Sequence, residues 1–167
     1  GSGWQRYRAV FDKALLALYT VDGSGKAVLL CSAAPTGQDF SDGRLYVYGR
    51  NIVFGVKNTA AEKVDFGSDD EMWNVPSTGW HVNTADGETV YTRDATDGTE
   101  LSSKAVYSPD TANALTFDLR VDKAAWSDAQ ANFEYRLPGG GKYTFQIFSD
   151  EKKARIAENG QTVAETA

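Results

Sequence analysis

The residues best suited to contact a ligand lie close together between positions 69 and 81. Sugar rings have apolar faces that stack on aromatic side chains, and hydroxyl groups that hydrogen-bond to carboxylates and amides. This segment offers both kinds of group in a long connection, and such connections often carry function. Its candidate ligand-binding residues are Trp73, Trp80, His81, Asp69, Asp70 and Asn74. The segment predicts a carbohydrate site, and the alternative is that both tryptophans fill one end of the core.

Residue types for nucleophilic catalysis are scarce in this chain. His81 is the single histidine, and a Ser-His-Asp or Cys-His arrangement requires an imidazole base. No nucleophile-elbow motif and no acidic residue at a diagnostic spacing accompanies it. The sequence therefore assigns no catalytic residue and favours a binding protein over an enzyme, although its 23 acidic residues leave a carboxylate-based site open.

The available ligand types argue against a zinc site. One histidine and one cysteine, Cys31, are too few nitrogen and sulfur donors, and a single cysteine forms no internal disulfide. Cys31 lies in an apolar run, which predicts a buried and unreactive thiol. We expect no cofactor, and the alternative is calcium bound by the carboxylates of Asp94, Asp97 and Glu100.

Composition predicts one globular domain with an acidic surface. The chain has 167 residues, of which 41% are hydrophobic, enough to bury a core. Its net charge of −6 disfavours nucleic acids and anionic membrane surfaces as partners. No apolar run approaches the length of about 18 residues that spans a bilayer, and no signal peptide is recognisable. We expect residues 1–3 to be a cloning remnant and residues 4–167 to form a single β-rich domain.

Apolar and polar residues alternate in three segments, residues 114–121, 133–137 and 143–147. Period-two alternation is typical of antiparallel strands with one buried face. Turn residues punctuate the rest of the chain at short intervals, which indicates an all-β architecture. The predicted fold is therefore mainly β, as a single antiparallel β-sandwich of jelly-roll type or as a β-barrel, with one N-terminal helix.

The polar side of the three alternating segments is a second candidate site. If these strands are neighbours, their polar side chains project from one surface. A ligand platform there competes with the ordinary role of such charges, which is to stabilise and solubilise a sheet. The residues concerned are Asp118, Arg120, Glu134, Arg136, Thr144 and Gln146.

A hairpin with two apolar faces is predicted between residues 44 and 57. A two-residue turn at residues 49–50 pairs Leu45 with Phe54. The opposite face then carries Tyr46 and Tyr48, which are further candidates for ligand binding. This aromatic ribbon lines a cavity if the fold is a barrel, or forms a subunit interface if the protein oligomerises.

The N-terminal region allows two interpretations. Its apolar residues are spaced by three and four positions, which predicts the helix. They are Trp4, Tyr7, Phe11, Leu15 and Leu18. The competing interpretation is a strand over residues 14–21 that pairs with a strand over residues 26–33. Continuous apolarity in residues 27–31 indicates burial on both faces of the second strand.

Two turns have registers that the sequence predicts. A three-residue loop of consecutive glycines pairs Leu137 with Tyr143 and keeps apolar residues on one face. Asn159-Gly160 is a strong type I′ signal, and that turn pairs Ile156 with Val163.

Four short motifs follow one another along the chain: Val28-Leu29-Leu30, Asp42-Gly43-Arg44-Leu45-Tyr46-Val47, Gly79-Trp80-His81-Val82 and Asp86-Gly87. Their order resembles that of laminin-G-like and concanavalin-like sandwiches. The resemblance covers the smaller part of the chain and implies a jelly-roll sandwich that binds glycans or proteins.

Taken together, these patterns favour a non-enzymatic, lectin-like module that recognises carbohydrate at an exported or cell-surface location. The first alternative is a closed β-barrel that holds a small apolar ligand, with cyclase- or isomerase-type chemistry in its cavity. The second is a structural or assembly domain of a surface layer, pilus or virion. A cytoplasmic location stays open, because a lone cysteine fits either compartment.

Overall fold

The chain forms two antiparallel sheets of seven strands each. The computed structural model describes residues 3–36, 42–61, 72–85, 87–94, 99–108, 110, 113–124, 129–149 and 153–166. In spatial order the first sheet contains β3 (Ala27–Ala33), β2 (Leu16–Val21), β1 (Gln5–Phe11), β10 (Asn113–Ala124), β5 (Ile52–Ala61), β8 (Glu88–Arg93) and β7 (Trp80–Ala85). The second sheet contains β14 (Gln161–Glu165), β13 (Ala154–Glu158), β12 (Lys142–Phe148), β11 (Gln130–Arg136), β4 (Arg44–Arg50), β9 (Leu101–Ser103) and β6 (Trp73–Asn74).

An aromatic core joins the inner faces of the two sheets. Phe117 of β10 stacks on Phe133 of β11 with ring centroids 3.9 Å apart. Tyr7 of β1 stacks on Phe117, and Phe11 packs against Tyr135 from the other sheet. Inward residues of facing sheets interdigitate in this way in sandwiches. Neither sheet closes on itself, so the arrangement is consistent with a β-sandwich and the β-barrel alternative is wrong.

The predicted N-terminal helix is wrong, because its residues form two strands of the first sheet. Tyr7, Ala9 and Phe11 of β1 are buried and alternate with more exposed neighbours, which is the period of a strand. β1 pairs with β2 on one side and with β10 on the other, and this pairing outweighs local helix propensity. The described residues include no helix long and apolar enough to cross a bilayer.

The competing prediction for this region is confirmed, since β2 pairs with β3 as a hairpin. β3 lies at the edge of the sheet, however, and Val28 and Leu29 are 52% and 51% exposed. The expected burial on both faces of this strand is therefore wrong. Cys31 at the far end of β3 is buried as predicted, and burial raises the pKa of its thiol to about 11.

The predicted hairpin between residues 44 and 57 is also wrong. β4 lies between β11 and β9 in the second sheet, whereas β5 lies between β10 and β8 in the first. Asn51, with a φ of 57°, stands where the chain leaves one sheet and enters the other. Asparagine tolerates this left-handed conformation. The aromatic ribbon is thus divided between two sheets, and Tyr46 and Tyr48 remain together on one of them.

The hairpin of β11 and β12 keeps the predicted faces but not the predicted register. Tyr143 pairs with Tyr135 rather than with Leu137. The loop has five residues, and the Leu137 amide closes it by donating to the Gly141 carbonyl at 2.8 Å. A shift of two residues leaves the same side chains facing the core.

The turn between β13 and β14 has the predicted conformation. Asn159 and Gly160 both have positive φ, 51° and 83°, as a type I′ turn requires. An irregularity after Ile156 pairs that residue with Ala164 instead of the predicted Val163.

The three alternating segments are confirmed as strands, but they are not all neighbours. β11 and β12 pair with each other, whereas β10 belongs to the other sheet. The predicted polar platform is therefore divided: Asp118 and Arg120 lie on the first sheet, and the polar residues of β11 and β12 lie on the second.

Candidate functional site

The two tryptophans of the predicted carbohydrate site lie in the core. Trp73 is 2% exposed, and its indole Nε1 donates to Thr59 Oγ1 at 2.9 Å. Trp80 is 7% exposed, packs edge-on against Phe54 and donates to the Thr99 carbonyl at 3.3 Å. Neither indole presents an open face for stacking in this conformation.

The other candidates of residues 69–81 do not converge on one surface. Asn74 lies on β6 of the second sheet, where its side chain donates to Ser102 Oγ at 3.4 Å. His81 is exposed on β7 of the first sheet. Asp69 and Asp70 lie outside the described residues. The described members of the segment therefore do not form one ligand-binding surface.

The calcium candidates are similarly dispersed. Asp97 lies outside the described residues, and Asp94 is exposed. Glu100 accepts two hydrogen bonds from the Arg136 guanidinium, at 2.9 and 3.1 Å. Within the described ranges, no cluster of three or more histidine, cysteine, aspartate or glutamate residues could hold a metal ion.

Tyr46 and Tyr48 do come together, on the outer side of β4. Leu45 and Val47 face the core, so strand alternation turns the two tyrosines outwards. The neighbouring strand β11 places Glu134 opposite Tyr46. The side of β4 away from the core thus brings two phenol rings next to the polar side of β11.

Glu134 is the centre of this outer surface. It is 1% exposed, although it lies on the side of β11 away from the core. Its carboxylate accepts hydrogen bonds from the Tyr48 hydroxyl at 2.8 Å, the Thr144 hydroxyl at 2.9 Å and Arg136 Nε at 2.6 Å. A buried carboxylate requires such partners, and three adjacent strands supply them here.

The environment of Tyr48 keeps its hydroxyl a donor. Burial, followed by the negative charge of Glu134, raises the pKa of Tyr48 well above its ordinary value. The phenol is therefore protonated at neutral pH, and its hydroxyl can donate a hydrogen bond.

Arg136 connects the Glu134 carboxylate to the surface beside it. Its guanidinium donates to both Glu134 and Glu100 and lies 3.7 Å from the centroid of the Tyr46 ring. Burial alone lowers the pKa of Arg136, but the hydrogen bonds to the two glutamates outweigh it and raise that pKa above its ordinary value. Arg136 is a fixed positive charge stacked on an aromatic ring.

Asn132 lies two residues from Glu134 on the same side of β11 and has an unused acceptor. It is 3% exposed, and no donor among the described residues reaches its Oδ1. Buried polar atoms are nearly always paired, and an unpaired one costs about 1–3 kcal/mol. Its neighbours in register are Tyr48 and Gln146. A ligand hydroxyl that donates to this oxygen would remove that cost.

We call this surface the Glu134 face. Arg155 of β13 extends it, because its Nε donates to Gln146 Oε1 at 2.5 Å and its guanidinium lies 5.1 Å from the Phe148 ring centroid. The face consists of Tyr46, Tyr48, Asn132, Glu134, Arg136, Thr144, Gln146 and Arg155.

A groove of about 470 Å³ adjoins the Glu134 face at the Tyr46 end. Arg44 lines it, held by hydrogen bonds from Nη1 to the carbonyls of Ser103 at 3.0 Å and Lys104 at 2.7 Å. A Cβ on Gly43 would lie 2.6 Å from the Arg136 carbonyl oxygen, so the wall of the groove needs glycine there. The lining residues are Asp42, Gly43, Arg44, Tyr46, Val106, Arg136, Leu137 and Pro138.

The first sheet carries a comparable cluster around Asp118. Arg6 donates to this carboxylate from Nε at 2.7 Å and from Nη2 at 3.2 Å, and Asn58 Nδ2 donates at 2.8 Å. Burial raises the pKa of Asp118, but the hydrogen bonds from Arg6 and Asn58 outweigh it and lower that pKa below its ordinary value. Arg6 and Asn58 both donate to this carboxylate, and no side chain of this cluster has a buried polar atom without a partner.

Sequence reasoning found part of the Glu134 face. It singled out Tyr46 and Tyr48 as ligand contacts and Glu134 as part of a polar platform. It missed Asn132, although that residue shares the outward parity of Glu134 in an alternating strand, and this signal could have found it. It also missed Arg155, whose position beside Gln146 depends on the pairing of β12 with β13.

Comparison with known proteins provides no family for this chain. It matches no protein-family model, no curated protein and no solved structure. The resemblance of its motifs to laminin-G-like and concanavalin-like sandwiches stays an expectation.

Proposed function

We propose that this chain is a binding module that recognises carbohydrate through the Glu134 face and has no catalytic role. The observation that carries the proposal is the unused amide oxygen of Asn132, buried beside Tyr48 and the Glu134 carboxylate. A sugar hydroxyl donates to Asn132 Oδ1, and the apolar face of a sugar ring packs on the half-buried ring of Tyr46.

The rigidity of the face supports binding of a ligand with many hydroxyl groups. Tyr48, Thr144 and Arg136 fix the carboxylate of Glu134, and Arg155 fixes the amide of Gln146. Groups held in place before binding lose little conformational entropy when a ligand arrives. An exported or cell-surface location, where polysaccharides are accessible, belongs to this proposal.

The same contacts favour binding over catalysis. Glu134 and Glu100 both hydrogen-bond to the guanidinium of Arg136. A general acid or base must reach the proton that it transfers, and both oxygens of the Glu134 carboxylate already accept hydrogen bonds from Tyr48, Thr144 or Arg136. Its carboxylate is thus placed to hold neighbouring side chains rather than to exchange protons with a substrate.

A glycan array followed by calorimetric titration of the bound sugars tests this proposal. We expect Tyr46→Ala and Asn132→Leu each to weaken binding about tenfold. His81→Ala is the matched control, because His81 is exposed on the other sheet and should leave the affinity unchanged.

Two results would overturn the proposal. Binding that is lost in His81→Ala but kept in both variants of the face would return the site to residues 69–81. Failure of the folded protein to bind any glycan of the array, with no rise in its melting temperature, would remove carbohydrate as the ligand.

A further inference from the structure

The charge of the Glu134 face and its borders differs in sign from that of the whole chain. The chain has a net charge of −6, yet strand register places five cationic side chains on the outer side of the second sheet. These are Arg44, Arg50, Arg136, Lys142 and Arg155. Among the described residues, the carboxylates nearby are those of Glu100 and Glu134, with Asp42 in the adjoining groove and Glu165 opposite Arg155 at the edge of the sheet.

Four of these cations are not neutralised by the described part of the chain. Arg136 has two carboxylate partners, but Arg44, Arg50, Lys142 and Arg155 have none within ion-pair distance among the described residues. Neutral groups hold two of them in place. Arg44 donates to backbone carbonyls and Arg155 to the amide of Gln146. Their positions are fixed while their charge is left for another partner.

The first sheet pairs more of its cations, although Lys26 and Lys123 have no carboxylate within ion-pair distance in the part of the chain that the structure describes. There Arg6 pairs with Asp118, Lys57 with Glu88 and Arg120 with Asp122. Surface ion pairs of that kind neutralise a sheet face from within. On the outer side of the second sheet, four of the five cations have no carboxylate within ion-pair distance in the described ranges.

The spread of the four cations indicates the size of the partner. Arg44 and Arg50 stand at the two ends of β4, about 20 Å apart along the strand. Arg155 lies three strands away from β4, which is about 14 Å across the sheet. A single small anion contacts one of these charges, whereas an extended polyanion contacts all of them.

We propose that the ligand of the Glu134 face is an acidic polysaccharide, an inference that rests on the proposed carbohydrate-binding function. Its carboxylate or sulfate groups pair with the four unneutralised cations, as arginine and lysine bind such anions elsewhere. Its hydroxyl groups reach the free acceptor of Asn132. The positive field of this face also attracts such a polymer to a protein that is acidic overall.

Polygalacturonate and its fully methyl-esterified form are the matched probes, because they share one backbone and differ in charge. Calorimetric titration should show that the acid form binds about tenfold more tightly than the ester. Its affinity should fall as NaCl rises from about 50 to about 500 mM, since salt screens exposed charges. The ester should show little salt dependence.

Two double variants test which cations bind polygalacturonate. Arg44→Gln combined with Arg50→Gln removes two exposed charges and should weaken polygalacturonate binding about tenfold while leaving the ester unchanged. Lys26→Gln combined with Lys123→Gln removes the same charge from exposed positions in the turn between β2 and β3 and on β10, and should change neither affinity. Circular dichroism establishes that both double variants are folded.

The outcomes separate this inference from the function on which it rests. Equal affinity for the acid and the ester, both lost in Tyr46→Ala, would overturn the acidic ligand and keep the carbohydrate site. Equal binding of polygalacturonate and single-stranded DNA, both insensitive to Tyr46→Ala, would overturn both. Dextran sulfate that binds more tightly than polygalacturonate, and depends on Tyr46, would support the proposal with sulfate as the acidic group.

Discussion

Each sheet of this protein holds a buried carboxylate on its outer side, but the two surroundings differ. Asp118 on the first sheet is bound by Arg6 and Asn58. Glu134 on the second sheet is bound by three donors, yet Asn132 beside it keeps a buried acceptor without a donor among the described residues. Among the described residues, the Asp118 cluster has no buried side-chain atom without a partner, whereas the Glu134 face has one beside its carboxylate.

Two cations on the same side of the first sheet as Asp118 are also paired within the chain. Trp4 lies between Lys57 and Arg120 on the first sheet, each 4.6 Å from a centroid of its ring. These cations pair in turn with carboxylates, so ring and charges are satisfied within the chain. A complete polar network stabilises a fold, whereas an incomplete one costs free energy and needs a reason. We infer that the reason on the second sheet is a ligand.

The largest expected effect separates the core from the two faces. Trp80→Ala should lower the free energy of unfolding by about 3–5 kcal/mol, because it empties a buried site against Phe54. Tyr46→Ala, on the outer side of β4, should lower it by about 1 kcal/mol or less. Urea unfolding of both variants measures the difference. A Trp80→Ala protein with unchanged stability would show that the indole is free to serve a ligand.

The next effect compares the two carboxylates directly. Glu134→Ala should lower the free energy of unfolding by about 3 kcal/mol, because it leaves Arg136 Nε and two hydroxyl groups without an acceptor. Asp118→Ala should cost about 1–2 kcal/mol, since the side chain of its partner Arg6 is 47% exposed and water can replace the carboxylate. The reverse order in thermal or urea unfolding would contradict the view that Glu134 organises its face.

A third effect has the opposite sign. Asn132→Leu keeps a similar volume and removes an unpaired buried amide, so it should raise the free energy of unfolding by about 1 kcal/mol. Thr144→Val is the matched control on the same face and should lower it by about 1 kcal/mol, because the lost hydroxyl donates to Glu134. A clear loss of stability in Asn132→Leu would mean that the amide oxygen is already satisfied.

The smallest effect depends on pH and concerns the first sheet. Hydrogen bonds from Arg6 and Asn58 hold the pKa of Asp118 below its ordinary value despite burial. The stability that the ionised group contributes is thus complete above the unfolded pKa of about 4 and is lost as pH falls through the folded pKa. Asp118→Asn should be about 1 kcal/mol less stable than the original chain at pH 7. Urea unfolding at pH 7 and at pH 2.5 should show this gap narrowing, and a gap that widens in acid would contradict the ion pair.

Much of the strand content was predictable, because period-two alternation records which side of a strand is buried. Residues 114–121 illustrate this, since β10 covers them with the expected inward side chains. The pattern does not record which strands are neighbours in a sheet. Consecutive strands β4 and β5 therefore looked like a hairpin, although Asn51 sends them into different sheets.

The candidate site was less predictable for the same reason. Tyr46 and Tyr48 could be found from their alternation with buried residues. The burial of Glu134 could not, because it arises where β4, β11 and β12 meet and depends on partners far apart in sequence. Trp73 and Trp80 show the converse case, because they lie in a segment rich in polar residues and yet both side chains are buried in the core.

The most direct test of the account is an NMR titration of the ¹⁵N-labelled protein with short oligomers of polygalacturonate. We predict that the backbone and side-chain amides of Asn132, with the backbone amides of Tyr46 and Tyr48, shift with saturating dependence on the oligomer. Those around Asp118 should stay in place. Shifts confined to the first sheet, or saturating shifts near His81 with none on β4 and β11, would contradict the assignment of the ligand to the Glu134 face.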